Sequence, residues 1–269
     1  MAKIGVMDSG SGGLSVLREL LRILPEEEYI YFSDNAHCPY GEKSQGFILG
    51  RCRSIVEDFL EQGAQAVVIA CNTATAAAIA TLREEYPHIP FVGMEPAIKP
   101  AILDTRCGTI GVLATESTLH SAKYLDTRER YAQGIKVVEH VGEGFVELVE
   151  TLDLDSAHTR EVVERSLRPL LERGADTIVL GCTHYPFLRA VMQEVAGPQV
   201  HFIDPAPAAA RQLARVLKSE GLSTGVGPGF VEIKSSGPID PVRRLYSIIS
   251  ITNCSSESGQ APQSRPDPQ

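Results

Sequence analysis

Long apolar runs, an export signal and an excess of positive charge are all missing from this sequence of 269 residues. No segment approaches the ~20 apolar residues that a membrane helix needs. The apolar run nearest the N-terminus, residues 4–7, is too short for a signal peptide. We therefore predict a cytoplasmic protein with no membrane attachment. A net charge of −9 repels polyanions, so nucleic acid is disfavoured as a partner.

Paired cysteine motifs and nucleotide-binding loops are missing as well. The six cysteines form no Cys-x-x-Cys pair, and without an export signal we expect reduced thiols rather than disulfides or a zinc ribbon. The glycine-rich segment "DSGSGGLS", residues 8–15, matches neither Gly-x-Gly-x-x-Gly nor a P-loop. Dinucleotide binding is therefore disfavoured. Backbone N–H groups at such a turn can still hold a small carboxylate.

The sequence does contain a regular alternation of short β-branched runs, from "KIGVMD" onward, with longer helix-like segments. The helix-like segments are residues 14–24, 47–62, 75–86, 156–173 and 206–220. This alternation is typical of parallel strands joined by crossover helices. It restarts at "CGTIGVLAT", so we predict an α/β fold with two successive α/β units. The segment "GFVEIKSS" is predicted to be a last strand or the start of a helix.

An internal repeat supports two equivalent lobes. "GAQAVVIAC" (63–71) and "GADTIVLGC" (174–182) lie 111 residues apart, and "GVMDSGSGGL" (5–14) lies 106 residues before "GVLATESTL" (111–119). Two pseudo-symmetric lobes with mainly parallel sheets would face each other across one cleft at the carboxyl ends of their strands.

We predict the division of the chain from the same pattern. One lobe is formed by residues 1–97 together with 207–252, and the second lobe by residues 98–206. Residues 253–269 have no apolar period and are predicted to form a disordered tail.

Cys71 and Cys182 end the two repeated runs. Either cysteine alone could be a small buried apolar residue. At equivalent strand ends of facing lobes, however, the two sulfur atoms would reach one ligand from opposite sides. One could then remove a proton from a stereogenic carbon while the other returns a proton to the opposite face. The pair therefore predicts a reaction that inverts a carbon centre.

Each sulfur needs a partner, because a free cysteine with a pKa near ~8.5 is mostly protonated at neutral pH. Asp8, at the end of the first strand, is a candidate beside Cys71, and His184 is a candidate beside Cys182. The alternative interpretations stay open at this point. An aspartate before Ser-Gly is also a common helix cap or turn residue, and a histidine after a strand is also a common hydrogen-bonded scaffold group.

Several motifs of the chain, in this order, resemble those of the glutamate racemases, which are cofactor-independent amino-acid racemases. The motifs are "GVMDSGSGGLSVLREL", "YFSDNAHCPYGEKS", "VVIACNTATA", "GMEPAIKPA", "GVLATESTL", "VLGCTHYPFL" and "IDPA". The resemblance covers the chain to about residue 250. The segment after about residue 225 follows the family pattern poorly.

The resemblance implies interconversion of L- and D-glutamate, supplying D-glutamate for peptidoglycan, with no cofactor, no metal and a homodimeric assembly. It implies Cys71 and Cys182 as the proton donors and acceptors, assisted by Asp8, His184 and a glutamate of "GFVELVE". That glutamate is assigned to Glu150, with Glu147 as the alternative. The implied substrate-binding residues are Asp8, Ser9, Tyr40, Gly41, Asn72, Thr73, Thr115, Thr118, Thr183 and His184.

Three other functions are compatible with parts of the pattern. A related two-cysteine racemase or isomerase could act on aspartate, a hydantoin or a malonate derivative. A zinc hydrolase could use Cys182, His184 and Cys71 as ligands, but Cys-x-His is not a usual ligand spacing and no His-Glu-x-x-His is present. A regulatory protein with a protein partner is the third alternative.

Overall fold

The fold is built on two parallel β-sheets, seen in a computed structural model that describes residues 1–222 and 229–256. The first sheet has the spatial order β4 (Phe91–Gly93), β3 (Ala66–Ile69), β1 (Lys3–Asp8), β2 (Glu28–Ser33) and β9 (Phe230–Ser235). The second sheet has the order β6 (Lys136–Val141), β5 (Thr109–Ala114), β7 (Thr177–Gly181) and β8 (His201–Ile203). All pairings between neighbouring strands are parallel.

The two sheets match strand for strand. The order β4-β3-β1-β2 in the first corresponds to β8-β7-β5-β6 in the second. The repeat in the sequence paired β1 with β5 and β3 with β7, and these strands hold equivalent central places. The predicted α/β fold of two lobes with parallel sheets is confirmed. The segment "GFVEIKSS" contributes strand β9, which extends the first sheet beside β2.

Eleven α-helices lie within the described residues. They are α1 (Leu14–Ile23), α2 (Gln45–Glu61), α3 (Asn72–Glu85), α4 (Ile98–Asp104), α5 (Glu116–Leu119), α6 (Ala122–Tyr131), α7 (Phe145–Glu150), α8 (Ala157–Glu172), α9 (Arg189–Ala196), α10 (Ala206–Ser219) and α11 (Asp240–Ser256). Short 3-10 helices occupy Asn35–His37, Tyr40–Glu42 and Tyr185–Leu188. Within residues 1–222 and 229–256, no helix combines the length and apolar character needed to cross a bilayer.

Helix α3 begins three residues before its predicted start at residue 75. The Sγ atom of Cys71 accepts a hydrogen bond from the backbone N–H of Ala74 at 3.4 Å and so caps the helix. Periodicity did not reveal this start, because the first turn of α3 is "NTAT", which has no apolar pattern. The consequence is that a reactive side chain sits directly at a helix N-terminus.

Both faces of the central strands β1 and β3 of the first sheet are buried, as expected for parallel strands flanked by helices. Alternate residues of β1 point to opposite faces. Ile4 and Val6 pack in the cluster that contains Leu17 of α1, whereas Met7 packs in the cluster that contains Phe59 of α2. Cys71 and Cys182 follow the ends of β3 and β7 and belong to the edges of these buried clusters.

The chain passes from the first sheet to the second between β4 and β5, and returns between β8 and β9. Helix α10, which lies between β8 and β9, and helix α11, which follows β9, both pack against α1. The boundaries proposed at residues 97/98 and 206/207 stay a prediction. Helix α11 continues through residues 253–256 of the predicted tail, and residues 257–269 lie outside the described part of the chain.

Candidate active site

Cys71 and Cys182 lie at matching strand ends of the two sheets and line one cavity. Both are buried, with 6% and 8% of their surface exposed. The predicted residues that line the same cavity are Ser9, Tyr40, Gly41, Asn72, Thr73, Thr115, Thr183 and His184. Of the other predicted residues, each contacts one that lines it. Asp8 contacts Thr183, Thr118 contacts Thr73 and Thr115, and Glu150 contacts His184.

Cys71 forms hydrogen bonds only to uncharged groups among the contacts described for it. Its thiol donates a hydrogen bond to Ser9 Oγ at 3.6 Å, in addition to capping α3. Burial, followed by the nearby negative charge of Asp8, raises the pKa of Cys71 to about 12, against the opposing effect of Ala74 and Ser9. At neutral pH this sulfur is therefore a thiol that can act as a proton donor.

Cys182 instead faces a histidine that belongs to an ion pair. His184 Nδ1 lies 3.6 Å from Cys182 Sγ, and His184 Nε2 lies 2.7 Å from Glu150 Oε1. Burial alone would lower the pKa of His184, but its hydrogen bonds to Cys182, Cys38 and Glu150 raise it well above 6.5. Burial likewise opposes ionisation of Glu150, but His184 lowers its pKa. The result is a buried imidazolium next to Cys182.

Glu150 reaches His184 because α7 is anchored beside it. The ring of Phe145, the first residue of α7, packs edge-on against Tyr185 with centroids 5.0 Å apart. At the other end of α7, the Glu150 carboxylate accepts hydrogen bonds from Ser11 N at 2.6 Å and Ser11 Oγ at 3.0 Å. Glu147 is exposed. Of the two glutamates left open by the sequence, Glu150 is the one that contacts the site.

Asp8 joins the two lobes rather than contacting either sulfur. Its carboxylate accepts hydrogen bonds from Gly10 N at 3.0 Å and from Thr183 Oγ1 at 3.1 Å. The side chain is completely buried, and burial raises its pKa, against the opposing charge of His184. Ser15 Oγ donates to the Thr183 carbonyl at 2.9 Å, so Thr183 is held from both sides by the first lobe.

Other polar side chains at the cavity have polar atoms that are available to bind a ligand. Thr73 Oγ1 lies 3.1 Å from Thr115 Oγ1, and Thr115 Oγ1 lies 2.9 Å from Thr118 Oγ1. Both polar atoms of the Asn72 amide are buried and have no hydrogen-bond partner among residues 1–222 and 229–256. Because a buried unpaired amide is costly, Asn72 is a natural contact for a polar ligand.

Tyr40, the aromatic residue of the cavity wall, is held in place by a buried carboxylate that lies outside the cavity. Tyr40 Oη donates to Asp34 Oδ2 at 2.6 Å, and Arg51 donates two hydrogen bonds to the same carboxylate at 2.9 and 2.8 Å. These bonds lower the pKa of Asp34 to about 2, despite its burial. Asp34 therefore stays ionised and holds Tyr40 and the adjacent Gly41 at the cavity.

Comparisons with known proteins show the family of this chain. The sequence profile of the Asp/Glu/hydantoin racemase family matches residues 4–213. The chain belongs to this family. A glutamate racemase of Pseudomonas putida is 48% identical over 248 residues, covering 92% of this chain and 94% of the relative. The resemblance to glutamate racemases is confirmed, and the protein is an amino-acid racemase.

Solved structures show the same fold. The racemase matches the crystal structure of Escherichia coli glutamate racemase in complex with L-glutamate and the activator UDP-MurNAc-ala with a TM-score of 0.83 and 33% identity, covering 92% of this chain and 95% of that one. It matches Francisella tularensis glutamate racemase in complex with D-glutamate with a TM-score of 0.79 and 28% identity, covering 92% and 93%. The cavity between the two lobes is thus part of a racemase fold.

The glycine-rich loop of the racemase has a packing role in addition to its turn. A Cβ atom at Gly12 would lie 2.5 Å from His184 Nδ1 and 2.7 Å from Cε1 of the same ring. A Cβ atom at Gly10 would lie 3.1 Å from His184 Nε2. These glycines let the backbone of the first lobe lie directly against the histidine of the second.

We expect Gly12→Ala to lower kcat at least tenfold, because the added methyl group must displace the His184 ring from Cys182. Overpacking of this kind also costs about 1–3 kcal/mol of stability, which a thermal melt would detect. Gly46→Ala on helix α2 is the matched control, since nothing lies within 4 Å of its added Cβ atom. A Gly12→Ala enzyme with the wild-type kcat would show that the ring position is unimportant.

The sequence did not single out two residues of this site. Ser11 supplies two hydrogen bonds to Glu150, but nothing in the glycine-rich pattern of its loop distinguishes it. Cys38 lies close to His184 and Glu150. Cys38 lies within the motif "YFSDNAHCPYGEKS", but only Tyr40 and Gly41 of that motif were predicted to contact the substrate.

Proposed function

We propose that the protein interconverts L- and D-glutamate by moving protons between the substrate α-carbon and two cysteines, without a cofactor. The observation that carries this proposal is that Cys71 and Cys182, from matching strand ends of two sheets, line one cavity. Two acid/base groups contributed by opposite lobes suit removal of a proton from one face of a carbon and its return to the other.

The different surroundings of Cys71 and Cys182 give the two sulfur atoms complementary roles in the proposed reaction. In one direction, Cys182 acts as a thiolate and removes the α-proton, and the imidazolium of His184 stabilises the negative charge on its sulfur. Cys71, a thiol at neutral pH, donates its proton to the opposite face. The carbon has then exchanged one proton for another with inverted configuration. Cys71 is left as a thiolate, hydrogen-bonded by Ala74 N–H and Ser9. In the reverse direction the two roles are exchanged.

Asp8, His184 and Glu150 assist from behind the sulfurs. We assign His184 to Cys182 and Glu150 to His184, on the basis of the distances of 3.6 and 2.7 Å. Asp8 contributes by holding the Thr183 hydroxyl and by its negative charge, which disfavours a second anion at Cys71. It is therefore a positioning group for the cavity wall.

The substrate is held by the polar groups that the cavity leaves available. The unpaired amide of Asn72 and the hydroxyls of Thr73, Thr115 and Thr183 offer donors and acceptors for the carboxylates and the ammonium group of an amino acid. Ser9, Tyr40 and Gly41 complete the wall. Thr118 acts through Thr73 and Thr115.

Glutamate is the proposed substrate because of the relatives. The Escherichia coli and Francisella tularensis enzymes bind L- and D-glutamate, respectively. The Escherichia coli enzyme also binds UDP-MurNAc-ala as an activator, and MurNAc is a sugar of peptidoglycan. We accordingly propose that the D-glutamate made here supplies peptidoglycan synthesis. A homodimer and a cytoplasmic location stay predictions.

A panel of single enantiomers tests the substrate. We expect the purified protein to abolish the optical activity of both L-glutamate and D-glutamate and to leave L-aspartate unchanged over the same period, because the relatives described above are glutamate racemases. Circular dichroism follows the signal directly. Rapid loss of the aspartate signal with none for glutamate would reject the proposed substrate, while leaving the two-cysteine mechanism standing.

A further inference from the structure

A second group of reactive side chains lies directly behind the proposed catalytic pair. Cys38, Glu150 and His184 each offer one ligand atom, and the three atoms lie within 4.8 Å of one another. They surround the backbone of Gly10. A Cβ atom at Gly10 would be 2.9 Å from Cys38 Sγ and 3.1 Å from His184 Nε2, and would also collide with Glu150 Oε1. The absence of a side chain at Gly10 leaves this space to the three donors.

The donor set has the composition of a zinc site. Thiolate, imidazole and carboxylate are the three side-chain ligands that zinc takes in proteins, at about 2.3, 2.0 and 2.1 Å. In a tetrahedral site these bond lengths place neighbouring ligand atoms about 3.5 Å apart. Atoms already within 4.8 Å of one another reach that arrangement with side-chain shifts of about 1 Å.

Charge also favours a divalent cation at this position. A Cys38 thiolate and the Glu150 carboxylate together neutralise a charge of +2, while His184 can bind as a neutral ligand through Nε2. Three protein ligands leave the fourth tetrahedral position to water, as in zinc sites that are open on one side. The zinc set considered from the sequence used Cys182, His184 and Cys71, whereas the structure brings Cys38 and Glu150 to the histidine instead.

We infer that the protein binds a zinc ion through Cys38, Glu150 and His184, and that the bound ion inhibits racemisation. The inhibition rests on the role proposed above for His184. A metal bound at Nε2 takes the place of the 2.7 Å hydrogen bond between His184 and Glu150 and separates the two residues. The ring of His184 is then held by the ion and loses its position 3.6 Å from Cys182, and the ion occupies the space between the first-lobe loop and α7. Zinc at this position acts as a regulator rather than a cofactor.

Zinc titration of the racemisation rate tests the inference. Each protein is freed of metal with a chelator, and its rate is measured against buffered free zinc and scaled to its own metal-free rate. We expect the wild type to be inhibited and the inhibition midpoint of Cys38→Ala to rise at least tenfold, since loss of even an outer-shell partner costs 10–100-fold in metal affinity. Cys107→Ala, which removes an exposed thiol, is the matched control and should keep the wild-type midpoint.

Cobalt spectroscopy separates this inference from the proposed function. A Co²⁺ ion bound to the wild type should show a thiolate-to-metal charge-transfer band, and so should Cys71→Ser, whether or not that variant racemises. Cys38→Ala should lack the band. If the band and the zinc inhibition both persist in Cys38→Ala, the metal binds other thiols and the inference is wrong. Racemisation absent in the wild type, with the band present and dependent on Cys38, would instead reject the proposed function alone.

Discussion

Replacing either Cys71 or Cys182 with serine is expected to reduce racemisation about 10³-fold or more. Positioned acid/base groups contribute about 10²–10⁴-fold to a rate, and a serine hydroxyl keeps the size of the thiol without providing an accessible anion at neutral pH. Both directions of the reaction should suffer equally, because each sulfur acts once in every turnover of the proposed mechanism. Steady-state rates for L- and D-glutamate measure this. Cys107→Ser, at an exposed thiol outside the cavity, should retain wild-type rates.

The same variants should separate the two faces of the substrate. In deuterated water, Cys71→Ser keeps only Cys182 and should exchange the α-hydrogen of one enantiomer. Cys182→Ser should exchange that of the other enantiomer. Proton NMR of each pure enantiomer reports the loss of the α-hydrogen. Equal residual exchange of both enantiomers by both variants would contradict a division of labour between the sulfurs.

The second large effect is expected at the ion pair behind Cys182. His184→Asn should lower kcat about 10²-fold with little change in KM, since the group acts on proton transfer rather than on binding. Glu150→Gln should lower kcat less, because the imidazole remains. Since Glu150 acts through His184, the double variant should be no slower than His184→Asn alone. A loss confined to KM would reassign His184 to substrate binding.

The ion pair between His184 and Glu150 should also make the stability of the protein depend on pH. The raised pKa of His184 contributes stability that is fully present below pH 6.5 and is lost as the pH rises through the raised value. The lowered pKa of Glu150 contributes stability that is present above pH 4.5 and is lost as the pH falls through the lowered value. The difference in Tm between the wild type and Glu150→Gln should therefore be largest between pH 4.5 and 6.5 and should shrink in alkaline buffer.

The sequence predicted the framework well because the framework depends on repeated, local patterns. The offsets of 111 and 106 residues paired β3 with β7 and β1 with β5, and those strands are equivalent in the two sheets. Cysteines that end such strands necessarily lie at carboxyl edges. The position of each thiol at the carboxyl edge of its sheet follows from topology, whereas the meeting of the two edges at one cavity depends on how the lobes pack.

The environment of each thiol could not be predicted in this way, because it depends on contacts between distant segments. Glu147 and Glu150 lie three residues apart on one helix, so the sequence pattern does not distinguish them. Only the anchoring of α7 at Tyr185 and the contact with Ser11 select Glu150. The approach of Gly12 to His184, 172 residues further along the chain, likewise has no local signal. Long-range packing of this kind decides which polar groups meet.

The strand-for-strand match of the two sheets has one more consequence. An enzyme assembled from two identical single-lobe subunits would repeat every substitution on both sides of its ligand. Here both halves are encoded in one polypeptide, so each half can change by itself. One sulfur has a hydroxyl and a backbone amide as neighbours, and the other has an ionised imidazole. Because the halves are joined in one chain, the proposed proton transfers at the two faces of the carbon can take place in unlike environments.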